Sequence, residues 1–168
     1  MNAIKGFYLP FDFGKMKKMA DLIYESGPVL ALYVSDGGYY LFSWTDCDDI
    51  SNRWMIFRVT LEQLRCYVDG KITFLDVILN NPDGFVRFAD YNTSGQGEFP
   101  SRTLSMSVDD IPVDYLPEDD SFFTFGVSDE LRDILLSKHY YVSVPKKEQN
   151  LFFSLMTKLG WKSSAAVF

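Results

Sequence analysis

Six consecutive apolar residues, Val29-Leu30-Ala31-Leu32-Tyr33-Val34, lead into Ser35-Asp36-Gly37-Gly38, and this junction constrains the fold more than any other stretch. A short apolar run bounded by turn residues reads as a strand covered on both faces, because alternation disappears when neither face meets water. Asp36-Gly37-Gly38 is a hairpin signal, since glycine accepts positive φ without steric cost. Tyr39 to Trp44 returns as the partner strand. The chain thus commits early to an antiparallel meander. Leu22 to Tyr24 ends a preceding strand, and Ser26-Gly27-Pro28 turns it. Thr45 to Arg53 is expected as a polar loop and Trp54 to Val59 as the next strand.

The period then changes. Thr60-Leu61-Glu62-Gln63 has the form of a capping box, in which the Thr and Gln side chains each serve the other's backbone N–H. Leu61, Leu64, Cys66 and Val68 follow, and Gly70 is placed to end the helix. Thr73 caps a second short helix, Phe74 to Leu79, with Asp76 at its third position. Asn80-Asn81-Pro82-Asp83-Gly84 breaks it, and Phe85 to Tyr91 reads as a strand. A loop from Asn92 to Ser101 precedes a strand over Arg102 to Val108, and Asp109 to Asp120, with Pro112 and Pro117, is expected as an extended loop. Ser128 caps a third helix with a stripe of Leu131, Ile134 and Leu135. A last helix is expected from Pro145 to Gly160, with Leu151, Phe152, Leu155, Met156 and Leu159 on one face. The expected architecture is α+β: a mostly antiparallel meander sheet packed by about four helices, in a single domain over residues 1–168.

Aromatic residues reach 17% of the chain, which favours sheet because flat side chains pack well on a pleated surface. The N-terminal residues lack a basic segment followed by a sustained apolar run, and no stretch approaches the roughly 20 apolar residues of a membrane-spanning helix. Cys47 and Cys66 are read as ordinary thiols of a reducing cytosol. A cytoplasmic protein, in a bacterium or in an infected host cell, is the expectation.

Chemistry-bearing patterns are sparse. Asp46-Cys47-Asp48-Asp49 fails as an EF-hand loop, because Ser51 stands where the sixth-position Gly is needed and Phe57 where the twelfth-position Glu is needed. Two Cys and one His, His139, offer no zinc spacing. Gly95-Gln96-Gly97 lacks the third glycine and the Lys-Ser/Thr of a phosphate loop. No metal or cofactor is expected.

One charge pattern stands out. From Thr103 to Leu131 there is no Lys or Arg, but there are eight carboxylates, within a chain of net charge −7. That balance argues against direct binding to nucleic acid, which needs clustered Lys and Arg. Asp109, Asp110, Asp114, Glu118, Asp119 and Asp120 are interleaved with Ile111, Val113, Tyr115 and Leu116, and Phe122, Phe123 and Phe125 follow. Carboxylates steer encounter with a basic partner, while apolar anchors supply contact energy. Asp109, Asp110, Asp114, Tyr115, Glu118, Asp119 and Asp120 are therefore the candidate protein-binding residues. Lys138, Lys146, Lys147, Lys158 and Lys162 make the C-terminal part basic and could match this segment within the chain.

The stretch from Gly27 to Tyr91 resembles a family of small uncharacterised bacterial proteins known as a domain of unknown function. The matching features are Gly27-Pro28-Val29-Leu30, Tyr39-Tyr40-Leu41 before an Asp-rich turn, Arg53-Trp54 opening a strand, and a helix leading into Gly70-Lys71-Ile72-Thr73. The resemblance implies a bacterial or phage cytosolic setting and carries no activity. The expected function is that of a non-enzymatic interaction or inhibitor protein occluding a basic surface of a protein partner, as immunity proteins and phage inhibitors of bacterial defence systems do. The alternative is an enzyme, such as a hydrolase, with an active site of dispersed carboxylates.

Overall fold

The computed structural model describes residues 1, 3–93 and 99–137. Six strands form one sheet in the order of the chain: β1 (Lys17–Tyr24), β2 (Pro28–Ser35), β3 (Gly38–Cys47), β4 (Ser51–Val59), β5 (Phe85–Asn92) and β6 (Arg102–Ser107). Every neighbouring pair is antiparallel. The β2–β3 hairpin closes with Ser35 opposite Gly38. Positive φ falls on Gly38 alone in this turn, at 119°, a value that a Cβ would oppose.

The expected loop from Thr45 to Arg53 is corrected. β3 continues to Cys47 and β4 begins at Ser51, leaving a turn of three residues. Asp48 holds that turn, its Oδ1 accepting from the backbone N–H of Ile50 at 3.1 Å and of Ser51 at 2.9 Å. This Asx-type bonding satisfies the turn from within and lets the ladder extend on both sides.

Three α-helices occur among the described residues: α1 (Leu61–Val68), α2 (Phe74–Leu79) and α3 (Asp129–Leu136). Thr60 with Gln63 and Thr73 with Asp76 both form complete capping boxes, and Ser128 Oγ caps α3 by accepting from Leu131 N–H. The expected helix from Pro145 to Gly160, the lysines from Lys138 onward, His139 and Gly95-Gln96-Gly97 lie outside the described residues.

The period of two divides the sheet into unequal faces. Leu30, Leu32, Leu41, Met55, Phe57, Val86, Phe88 and Met106 point to the main core, closed by Leu64 and Tyr67 of α1, Val77 and Ile78 of α2, and Leu131 and Ile134 of α3. The opposite face carries a smaller cluster of Phe42, Ile56 and Ala89, covered in part by Phe13 and Met16.

Candidate functional site

The acidic segment follows β6 and is folded locally rather than fully extended. Residues Val108–Asp110 and Val113–Tyr115 form single 3-10 turns, the first capped by Ser107 and the second following Pro112. Ile111, Tyr115 and Phe123 are buried in the main core. Farther on, Ser121 accepts at its carbonyl from Phe74 N–H at 2.8 Å, and its Oγ accepts from Leu75 N–H at 3.3 Å, tying the segment to the start of α2. Between these anchors, Asp109, Asp110, Asp114, Glu118, Asp119 and Asp120 are all exposed. Among the described residues none of the six is ion-paired. Val113, Phe122 and Phe125 are exposed beside them, at 82%, 46% and 45%.

Tyr115 departs from its expected place on the contact surface. It is buried, and its hydroxyl is the hinge of a polar network that sequence reading missed. Arg53 on β4 donates from Nε to Asp90 Oδ1 at 2.7 Å and from Nη2 to Asp90 Oδ2 at 2.9 Å, a two-pronged bond to the strand alongside. Its Nη1 donates to the Tyr115 hydroxyl at 2.9 Å, and that hydroxyl donates to Asp46 Oδ2 at 2.8 Å. Hydrogen bonding to Asp90 drives the Arg53 pKa upward, so its charge is locked. Burial first, then the bond to Asp46, pushes the Tyr115 phenol up and keeps its proton in place. The network joins β3, β4, β5 and the acidic segment, so six exposed carboxylates ride on a braced support. The sequence signal was Asp90, the one carboxylate inside the largely buried β5 strand.

Two other features bear on function. A groove of about 270 Å³ opens on the opposite face, lined by Phe13, Met16, Tyr33, Phe42, Trp54 and Tyr91. Burial raises Tyr33 and pushes Tyr91 up to about 12, so both phenols are neutral there. Cys47 and Cys66 are free thiols. Among the described residues no group of three or more His, Cys, Asp or Glu converges as metal ligands, and no helix is long and apolar enough to cross a membrane.

No protein-family model, curated protein or solved structure matches the chain.

Proposed function

We propose that this is a non-enzymatic interaction protein of bacterial or phage origin, which occludes a basic surface of a protein partner through the segment from Asp109 to Phe125. The observation that carries the reading is the division of labour along that segment. Ile111, Tyr115 and Phe123 hold it to the core, while six carboxylates and Val113, Phe122 and Phe125 face outward. A surface that is braced before binding loses less conformational freedom on association. Carboxylates around apolar contacts suit a basic partner, because charge raises the encounter rate and apolar burial lowers the off-rate.

The test changes Asp114, Glu118, Asp119 and Asp120 together to Asn or Gln. A partner captured from the native host by the wild-type protein at low salt should bind the variant more weakly by about 2 kcal/mol or more. Its association should also slow severalfold between low and high salt, since exposed charges are screened within about 8 Å at physiological ionic strength. Equal affinity for both proteins, with an on-rate indifferent to salt, would exclude the acidic segment as the contact surface.

A further inference from the structure

Among the described residues, four side-chain polar atoms are enclosed without a hydrogen-bond partner: Asp21 Oδ1, Arg58 Nε, Arg87 Nε and Ser105 Oγ. Asp21 has an ion-pair partner in Lys18 at 2.7 Å. The other three gather at one place, on the face of the sheet opposite the main core.

Register shows why they meet. Arg87 on β5 stands opposite Ile56 on β4 and Ser105 on β6. Arg58 lies two residues beyond Ile56, so it shares that face and sits diagonal to Arg87. Ser105 gives its backbone N–H and C=O to Phe7, each at 2.8 Å. With its backbone turned outward, Ser105 pairs with Arg87 in the non-hydrogen-bonded geometry, where facing side chains lie closest. On the other flank, Tyr40 of β3 is the direct partner of Arg58.

Arg87 is the centre of this cluster. It is 6% exposed, with its guanidinium carbon 4.1 Å from the Phe11 ring centroid and 5.6 Å from that of Phe85. Among the described residues it makes no hydrogen bond and no ion pair. Asp83, the carboxylate that acts on it, is engaged at 2.6 Å by Arg58 Nη2. Two guanidiniums and one carboxylate leave a local positive charge in a chain of net charge −7. Burial pulls Arg87 down to about 10, which still leaves it cationic at neutral pH. Burial also raises Tyr40, so its hydroxyl, which has Ser35 as a hydrogen-bonding neighbour, stays protonated. The exposed Tyr8 stands near the same charge.

A buried cation without an acceptor is costly, and buried polar atoms almost always find partners. Here the unmet demand is all of one kind. Two guanidinium N–H groups and a hydroxyl free to rotate need acceptor oxygens, and the Phe11 and Phe85 rings pack against the Arg87 guanidinium. We propose that Arg87, with Arg58, Ser105 and the Tyr40 hydroxyl, binds a small oxyanion group, a carboxylate or a phosphate. The site lies on the sheet face opposite the acidic segment and does not depend on the protein-binding reading.

The experiment titrates the intact protein with inorganic phosphate, with acetate and with chloride at matched ionic strength and pH. Side-chain Nε–H resonances of uniformly ¹⁵N-labelled protein and melting temperature are followed. Phosphate or acetate should shift the Nε–H signals of Arg87 and Arg58 saturably and raise the melting temperature, while chloride should not. The anion that binds distinguishes a phosphate ligand from a carboxylate one. Arg87→Met should weaken that binding about tenfold or more, as expected for a lost charge-assisted fork. The proposal is overturned if neither oxyanion moves those resonances in the wild-type protein, or if chloride moves them equally. The wild-type titration decides the matter even where the variant fails to fold.

Discussion

Arg53 and Arg87 sit on adjacent strands, 2% and 6% exposed, and point to opposite faces of the same sheet. Arg53 is bonded to both oxygens of Asp90 and to the Tyr115 hydroxyl, and its pKa rises. Arg87 has aromatic rings in place of acceptors, and its pKa falls. Desolvation lowers both guanidiniums: at Arg53 the hydrogen bonds to Asp90 and Tyr115 outweigh it, whereas at Arg87 no hydrogen bond does. The first arginine is a brace for the acidic segment, and the second is a donor in want of an acceptor.

The largest effect should come from breaking the brace. Arg53→Met leaves Asp90 buried without its countercharge, and about 3–5 kcal/mol of stability should be lost in urea unfolding. A loss under 1 kcal/mol would mean that the network contributes no net support. Tyr115→Phe keeps the ring and removes only the hydroxyl, so about 1–2 kcal/mol should go. The same variant should weaken partner binding, because the carboxylates lose their braced support. Unchanged affinity would separate the network from the contact surface.

Alkaline unfolding follows next. Burial holds Tyr67 and Tyr91 up at about 12, against about 10 in an unfolded chain. The unfolded state then releases its protons first, so stability is fully present below pH 10 and falls as pH rises from 10 through 12. Urea midpoints measured at pH 9 and 11.5 should show the decline, and Tyr67→Phe should make it shallower.

The smallest stability changes sharpen the contrast. Neutralising Asp114, Glu118, Asp119 and Asp120 together should leave stability within about 0.5 kcal/mol, because exposed charges contribute little to folding. Arg87→Met, unlike Arg53→Met, removes an unpaired charge, and its stability should stay within about 1 kcal/mol of wild type or rise. A collapse of several kcal/mol in that variant would place Arg87 among the structural braces.

What the sequence disclosed followed the range of the interactions. Thr60 with Gln63 and Thr73 with Asp76 act over three residues, and both helix starts were read correctly. The β2–β3 hairpin was equally local. Thr45 to Arg53 reads as a loop because Asp46 and Arg53 are polar, and their polarity is answered from far along the chain. Arg53 meets Asp90 across 37 positions and Tyr115 across 62. The acidic segment was found from its charge, but Tyr115 was assigned to its surface, since spacing alone does not tell an inward tyrosine from an outward one. Arg87 gave no warning, because its register with Ser105 and the crossing of Phe11 arise only in the folded sheet.

The sheet's strand order has a consequence for how the chain assembles. Each strand pairs with the one made just before it, so β1 to β4 can join by short loop closures, which are entropically cheap and fast, and β5 follows after the link that carries α1 and α2. The backbone bridge between Phe7 and Ser105 is different, because it joins the start of the chain to its sixth strand. It cannot form until β6 is in place. The N-terminal residues should therefore be the last to settle, passing over a face on which Arg87 has waited uncovered. Pulse-labelling hydrogen exchange during refolding would register this as late protection of the Phe7 amide, after the β2 and β3 amides have already closed.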